Sequence, residues 1–146
     1  MAYANGITRY QKKTWLDQLT SKTTSNYLKV AIYTTTTGLG DGAVADPASA
    51  IVYTTSGELT ASGTGYTAGG YTLATASVTA DSNAYQITWA DVVTGSGTIA
   101  SGTYYAMVYD TNDSNKAVAF LEVTVSTGSS SGTMTFDFPA GALKLT

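Results

Sequence analysis

The sequence predicts an all-β domain, an antiparallel β-sandwich or jelly-roll-like fold with one short N-terminal helix. Eight or nine short segments alternate apolar with polar residues, and clusters of Gly, Asn, Asp and Ser separate them at close intervals. Charged residues make up only 12% of the chain, while Thr, Ser, Gly, Ala and Tyr are frequent. Because Thr and Tyr suit a pleated, half-buried surface, this composition favours strands over helices.

The length of 146 residues is that of one domain, with a core large enough to need no disulfide bonds. We divide the chain into an N-terminal arm and helix, residues 1–26, and a single β-sandwich domain, residues 27–146. The polar stretch 1–7 lacks the apolar core of a signal peptide, and no segment approaches the roughly 18 apolar residues that span a bilayer. We therefore expect a protein that is made in the cytoplasm and is kept or assembled there.

One helix is predicted near the N-terminus. Thr8 is its expected N-cap, and the helix runs from Arg9 to Leu19. Trp15, Leu16 and Leu19 share one face at helical spacing. A helix this short needs a partner surface to be stable, so we expect this face, including Trp15, to pack on the β-domain.

The first clear strand is Tyr27–Tyr33, which follows a predicted polar linker at Ser21–Asn26. Leu28, Val30 and Ile32 alternate along this strand with other residues, so we expect their side chains to face the core.

A long stretch without strand pattern, residues 34–48, follows the first strand. Its glycines at 38, 40 and 42 do not form a phosphate loop, because no Lys-Ser/Thr pair and no helical pattern follow them. Loops of this length in compact domains usually bind something or stay mobile. We therefore interpret this stretch as a candidate contact arm, with Leu39 and Asp41 as its candidate partner-binding residues.

The rest of the chain supplies further predicted strands around a glycine-dense segment. They are Ala50–Thr54, Tyr71–Val78, Ala84–Ala90, an edge strand around Val92 and Val93, Met134–Phe138, and a short terminal strand within Ala142–Thr146. Tyr85, Ile87 and Trp89 share one face of their strand. Four glycines, Gly63, Gly65, Gly69 and Gly70, are expected to take positive φ or to allow tight chain crossings.

The most readable stretch is Gly102–Val125, which has the pattern of a β-hairpin in the middle of a sheet. Turn-forming residues, Asp110 to Asn115, separate its two strands. The second strand is predicted to turn one continuous apolar face to the core, formed by Ala117, Ala119, Leu121, Val123 and Val125.

Charge is distributed unevenly along the chain. Before Ala31, five cations oppose Asp17 alone, whereas from Ala31 onward two lysines oppose nine carboxylates. Two interpretations stay open: a solvated helix end, or a basic arm that docks on an acidic surface such as a neighbouring copy. The candidate residues are Arg9, Lys12, Lys13 and Trp15. Five cations on a net-acidic chain make a small footprint for nucleic acid, which we do not expect as a partner.

The sequence offers no clear catalytic or metal-binding constellation. Histidine and cysteine are both absent, which removes the commonest general base and the commonest zinc ligands. Asp110–Ser114 with Glu122 faintly resembles a calcium loop, but position six is Asn115 and Glu122 falls one place late, so we interpret the stretch as a hairpin turn. No pair of carboxylates is marked for glycoside hydrolysis. We expect neither an enzyme nor a cofactor.

Three tyrosines, Tyr53, Tyr66 and Tyr71, cluster in sequence around the glycine-dense segment. Tyrosine is enriched at interfaces because it supplies contact area and a hydroxyl group. Two interpretations stay open for these residues, a surface that binds a protein or a sugar and ordinary packing in the core.

Several short motifs taken together resemble those of small tailed-bacteriophage virion proteins. The resemblance lies in Gly57–Gly70 with its E-x-x-x-x-G-x-G-Y-x-x-G-G spacing, in the hairpin TYYAMVYD…NKAVAFLEV, in the closing Met134–Gly141, and in the opening Lys13–Thr20. These motifs cover most of the chain in order. The stretch 34–48 departs from the family pattern.

The resemblance implies a structural component of the phage particle, found in the virion after assembly in the host cytoplasm. The leading expectation is a capsid decoration or cement protein that binds the major capsid protein and neighbouring copies of itself, as a homodimer or homotrimer. The alternative is a tail- or fibre-associated adhesion module that recognises host glycans. A head–tail connector subunit is a third possibility.

Overall fold

The computed structural model describes residues 9–34, 51–59, 66–81, 84–94, 99–127, 134–138 and 143–145. Its elements in chain order are α1 (Arg9–Thr24), β1 (Leu28–Tyr33), β2 (Tyr71–Thr72), β3 (Ala76–Asp81), β4 (Ala84–Trp89), β5 (Val92–Thr94), β6 (Gly102–Asp110), β7 (Lys116–Thr127), β8 (Met134–Asp137) and β9 (Leu143–Leu145). The chain is mostly β with one helix, and its antiparallel sheets form a nearly closed, barrel-like arrangement. The predicted all-β class with a helix is confirmed.

The strands form two sheets. The larger has six strands in the order β2-β1-β6-β7-β8-β5, and the smaller has three in the order β3-β4-β9. The β6–β7 hairpin lies at the centre of the larger sheet, and β5 lies at its edge, as the sequence predicts for both. Every pairing in the two sheets is antiparallel.

The main core is built from residues of both sheets and the helix. Its buried members include Leu16, Leu28, Val30, Ile32, Leu73, Ile87, Trp89, Ala106, Val108, Val123, Val125 and Phe136. The predicted inward face of β1 is confirmed, because Leu28, Val30 and Ile32 are all fully buried. Ile87 of β4 and Phe136 of β8 are fully buried as well. We call the side of the larger sheet that points into this core its inner face.

Helix α1 packs against β3 and β4 and extends further than the sequence predicts. The predicted linker from Ser21 is wrong, because the helix continues to Thr24. Thr23 is buried, and its Oγ1 accepts a hydrogen bond of 3.0 Å from the Trp89 indole N–H. The same hydroxyl donates to the Leu19 carbonyl at 2.9 Å. The hydrogen bond from Trp89 stabilises the last turn of the helix, although the polar sequence of that turn is typical of a linker.

A bulge in β7 changes which of its side chains reach the main core. Val108 pairs with Ala119 and Tyr109 with Ala117, so Val118 is an extra residue on β7. Ala119 packs in the main core, whereas Ala117 packs on the opposite face of the sheet. The prediction of one continuous apolar face from Ala117 to Val125 is therefore wrong at Ala117, since the bulge reverses the alternation.

Two predicted strands are shorter than expected. Residues 51–54 make only an isolated bridge, Val52 to Lys116, and the predicted strand Ala50–Thr54 is wrong over these residues. The predicted strand Tyr71–Val78 is interrupted, because Thr75 has φ of +45° and the chain passes there from the larger to the smaller sheet. Leu73 at this crossing is fully buried.

Candidate interaction surface

The outer face of the larger sheet, opposite the main core, is divided into a covered end and an open end. Residues 51–59, which we call the strap, cross this face from β7 to β1. At one end the Tyr53 N–H donates to the Asn115 carbonyl at 2.8 Å, and at the other the Leu59 N–H donates to the Ile32 carbonyl at 2.8 Å. The strap therefore hydrogen-bonds to the sheet at two places, at the start of β7 and near the end of β1.

A second, smaller core lies under the strap. Ala31, Tyr33, Met107 and Tyr109 are buried there, with Ile51, Tyr53, Ala117 and Phe120 packed against them. Tyr53 stacks on Tyr109 with ring centroids 4.7 Å apart and an interplanar angle of 17°. The Tyr33 hydroxyl donates to the strap carbonyl of Thr54 at 2.7 Å. Aromatic packing and this side-chain hydrogen bond thus add to the backbone bonds that hold the strap on the sheet.

Glu58 in the strap is the centre of a hydrogen-bond network. Its carboxylate accepts from the Tyr53 hydroxyl at 2.6 Å, from the Tyr66 hydroxyl at 2.7 Å and from the Gly69 N–H at 2.8 Å. Tyr66 in turn accepts from the Ile32 N–H at 3.0 Å. These bonds connect the strap, the glycine-dense segment and β1. The three bonds to Glu58 are charge-assisted, because the acceptor is a carboxylate.

The glycines of this network have a structural reason. Gly70 has φ of +71°, and a Cβ placed there would lie 1.9 Å from the Val30 carbonyl oxygen. Gly69 has φ of +84°, and the Tyr109 hydroxyl donates to its carbonyl at 2.6 Å. The predicted positive φ is confirmed at both residues, while Gly63 and Gly65 lie outside the described residues.

The tyrosines of this region keep their protons well above neutral pH. Burial and the neighbouring Glu58 carboxylate raise the pKa of Tyr33 to about 12 and that of Tyr109 to about 12. Burial also raises the pKa of Tyr53 and of Tyr66, and donation to Glu58 raises both further. The phenol groups therefore act as hydrogen-bond donors in a fixed network.

The structure resolves the two interpretations of the tyrosine cluster for Tyr66, which is only 3% exposed and packs in the main core. Tyr53 and Tyr71 are half-buried. Tyr71 lies edge-on to Tyr66 at 5.6 Å and packs on Phe136 at 5.4 Å. The three candidate residues thus lie together, but mainly as parts of the fold.

The open end of the outer face carries exposed side chains from three strands, β5, β6 and β7. Cross-strand pairs place Tyr105 opposite Glu122, Thr103 opposite Thr124, and Val93 opposite Thr135. Tyr105 is 40% exposed and Val93 is 64% exposed. Glu122, Thr103 and Thr124 are exposed as well. We call Tyr105, Val93, Glu122, Thr103 and Thr124 the open patch.

The helix presents the basic candidate residues and two large aromatic ones. Tyr10 is 79% exposed and Trp15 is 41% exposed, so Trp15 is not among the buried core residues. Leu16, the next residue, takes the buried position instead. Lys13 pairs with Asp17 one turn along the helix, and Lys12 is half-buried. The backbone of Arg9 belongs to the helix, but its side chain is not among the groups that the structure describes.

Asp110, at the start of the hairpin turn, links that turn to the helix. The carboxylate is 2% exposed, forms an ion pair with Lys22 and accepts from the Asn112 N–H at 2.9 Å. Burial raises the pKa of Asp110, but the bonds to Lys22 and Asn112 outweigh it and hold the pKa below its ordinary value. Ser114 and Asn115 have positive φ, as in a tight turn. The stretch is a hairpin turn, as interpreted from the sequence.

Two of the candidate residues, Leu39 and Asp41, lie outside the described residues. Within the described ranges, no group of three Asp or Glu side chains is placed to hold a metal ion. No helix among those residues is long and apolar enough to cross a membrane.

Sequence reasoning missed the open patch and the Glu58 network. The alternation of β6 marks Tyr105 as opposite in face to Tyr104, but both faces of that strand carry aromatic residues. The exposed part of the outer face is identified only in the structure, because it begins where the strap no longer covers the sheet. Glu58 has no local signal, because its partners are contributed from sites 5, 8 and 11 residues away.

Comparisons of the chain with protein families, with curated proteins and with solved structures gave no match. Structural evidence for the function of the protein therefore comes from the surfaces described above.

Proposed function

We propose that the protein is a structural component of a phage virion, a capsid decoration or cement protein that binds the major capsid protein. The observation that carries the proposal is the open patch, where Tyr105 and Val93 are exposed on a sheet face beside several threonines and one carboxylate. Aromatic residues and a low density of charge are typical of the centre of a protein interface. The motif resemblance to phage virion proteins supplies the identity of the partner.

The use of the carboxylates supports a binding role. Glu58 accepts three hydrogen bonds from its own chain, Asp110 pairs with Lys22, and Asp91 accepts from the Phe138 N–H at 3.0 Å. These groups hold the fold together. The exposed groups of the open patch, by contrast, are suited to contact through area and hydroxyl bonds.

The helix supplies a second contact in this proposal. Lys12 and Lys13 give the helix positive charge, to which Arg9 adds in the sequence, and Tyr10 and Trp15 are its exposed aromatic residues. Such a surface fits an acidic region of a shell subunit or of a neighbouring copy. Many copies, each burying a modest area, stabilise the assembled shell by mass action, since they bind only the intact lattice.

The proposal retains the finer expectation of a β-sandwich, since the six-stranded and the three-stranded sheets contribute to one core. The alternative of a glycan-binding tail module depended on Tyr53, Tyr66 and Tyr71. Because these residues are buried or half-buried around Glu58, no described contact favours that alternative.

The test is cryo-EM of particles purified from the host that produces this protein. We expect density for a small β-domain on the outer surface of the shell, with the open patch or the helix against the capsid protein. Tyr105→Glu combined with Val93→Glu is expected to leave the shell without this density. Thr55→Glu, at an exposed site on the strap, is the matched control and is expected to bind normally. Density on the tail, or none on the shell, would overturn the proposal.

A further inference from the structure

Strand β3 is the longest edge strand in the part of the chain that the structure describes. It pairs with β4 over six residues, from Ala76 opposite Trp89 to Asp81 opposite Ala84, and has no second strand partner there. The other edges are shorter, with two residues in β2 and three each in β5 and β9. An edge strand presents a row of unpaired backbone N–H and C=O groups on its outer side.

This edge lacks the features that usually prevent pairing with another chain. Natural edges are protected by lysine, by proline or by a bulge. The β3 sequence ASVTAD contains neither lysine nor proline, and its register with β4 runs without a bulge. Its one charge, Asp81, lies at the end of the strand. Among the residues that the structure describes, nothing pairs with the outer side of this strand along its six residues.

Helix α1 covers the face of the smaller sheet. Thr23 bonds to Trp89, and Ala76 and Val78 of β3 pack against the main core on that same side. The side chains of Ser77 and Thr79 point to the opposite face and are exposed. These small side chains leave room for a neighbouring strand at the usual spacing of about 4.8 Å.

We propose that β3 pairs antiparallel with β3 of a second copy of this chain, about a twofold axis. The two smaller sheets then join into one sheet of six strands, in the order β9-β4-β3 followed by the same strands of the partner reversed. The occupant is a second copy because a twofold axis pairs an antiparallel strand with itself, so one open edge satisfies another. The inference builds on the self-association in the proposed function, but it does not require a capsid shell.

The pattern of the strand limits the register of this pairing. In an antiparallel pair, directly opposite residues lie on the same face of the sheet. Core-facing Ala76 and Val78 must therefore oppose core-facing residues of the partner for the two cores to lie on one side. Any register with a residue opposite itself satisfies this condition, and the two that pair most of β3 have Val78 or Thr79 at the centre. In the second arrangement the two Thr79 side chains are neighbours on the exposed face.

Cross-linking tests the register directly, because the natural chain has no cysteine. Directly opposite strand residues have Cα atoms about 4.5 to 5.5 Å apart, within the range of a disulfide. Oxidised Thr79→Cys is expected to form a covalent dimer if the centre is Thr79. A mixture of Ser77→Cys and Thr79→Cys chains is expected to do so if the centre is Val78.

The association itself is measured by sedimentation of the purified full chain over a range of concentrations, without capsid protein. We expect a dimer that Thr79→Glu weakens. The effect is about tenfold if Thr79 is the centre, where two carboxylates face each other across the axis, and smaller if Val78 is the centre, where they lie diagonally across it. Thr72→Glu is the control, an exposed threonine on edge strand β2 opposite Lys29. A wild-type chain that stays monomeric, a dimer that Thr79→Glu leaves unchanged, or failure of both cross-links would overturn the inference. Circular dichroism confirms that each variant is folded.

The two proposals fail separately. A monomer in solution that decorates the shell would overturn β3 pairing and leave the capsid proposal intact. A β3-linked dimer that is absent from the shell would do the reverse.

Discussion

The two ends of the outer face of the larger sheet differ, although the same central strands, β6 and β7, build both. At the covered end, Met107 and Tyr109 are buried under the strap and the polar groups are bonded within the chain. At the open end, Tyr105, only two residues from Met107, is 40% exposed. The outer face of β6 therefore packs under the strap along one half of the strand and carries exposed side chains along the other half. Substitutions at the two ends should therefore separate folding from association.

The largest effect is expected at Gly70, on the covered side. Gly70→Ala would place a Cβ 1.9 Å from the Val30 carbonyl oxygen, at φ of +71°. Since the neighbour is strand backbone and not a flexible side chain, β1 or the turn must move. We expect a loss of about 4 kcal/mol or more in the free energy of unfolding, measured by chemical denaturation.

Gly69→Ala is the matched control for this substitution. Its φ is +84°, but the nearest atom to the added Cβ is the Tyr109 hydroxyl oxygen at 3.7 Å. Only the backbone strain of a left-handed alanine applies, about 1 kcal/mol. Equal losses for the two variants would show that the close approach to Val30 does not matter.

A smaller loss is expected when the Glu58 network is broken. Glu58→Gln keeps the shape of the side chain but offers one acceptor oxygen in place of two, so at least one of Tyr53, Tyr66 and the Gly69 N–H loses its bond. We expect a loss of about 2 kcal/mol in the free energy of unfolding. Glu122→Gln, at the exposed open end, is expected to change it by less than about 0.5 kcal/mol. Similar losses at both sites would abolish the distinction between the two ends.

Some of this architecture follows from sequence periodicity alone. Alternation identifies Val30, Ile87 and Phe136 as core residues, because a strand with one buried face repeats every two residues. Turn chemistry predicts the Asp110–Asn115 turn, and glycine predicts positive φ at Gly69 and Gly70. These features depend on a few neighbouring residues, which is why the sequence predicts them.

Other features depend on which strands meet. The bulge at Val118 exists only as a mismatch between β6 and β7, so the alternation of β7 alone places Ala117 on the wrong face. Trp15 has the greater apolar area, yet the direction of the helix buries Leu16 and exposes Trp15. The open patch is defined by where the strap leaves the sheet uncovered. None of these is contained in a local pattern.

The ion pair between helix and hairpin should show an effect smaller than that of Glu58, and one that depends on pH. Lys22→Ala leaves the Asp110 carboxylate, which is 2% exposed, with the backbone N–H groups of Asn112 and Asp113 as its remaining donors in the bonds described. Because the Lys22 side chain is itself 38% exposed, solvent already screens the pair, and we expect a loss of about 1 kcal/mol near neutral pH.

The sign of the pH dependence follows from the lowered pKa of Asp110. The folded chain holds the carboxylate ionised to a lower pH than the unfolded chain, whose value is near 3.8. The stabilisation is therefore present above about pH 4 and is lost as pH falls through the folded pKa. In Lys22→Ala this acid-dependent part of the stability should shrink. Lys13→Ala is the control, since its pair with Asp17 is exposed on both sides, and it is expected to leave the acid limb of the curve unchanged.

The smallest effect on stability is expected at the open end, where the consequence for association should be largest. Tyr105→Ser removes an aromatic ring that is 40% exposed. The residue lies between its strand partners Glu122 and Tyr33, and the substitution leaves these backbone pairings in place. The free energy of unfolding should change by about 1 kcal/mol or less, because the Tyr105 ring lies on the outer face and belongs to neither core cluster. If the open patch binds a shell subunit, the same substitution should release the protein from shells in a sedimentation assay, since aromatic residues at the centre of an interface contribute most of its binding energy.

Tyr53→Phe is the reciprocal variant, which removes a hydroxyl bond to Glu58 under the strap and should weaken folding while leaving shell binding intact. If Tyr105→Ser unfolds the protein, or if Tyr53→Phe impairs binding without loss of stability, then folding and association are not divided between the two ends of this face.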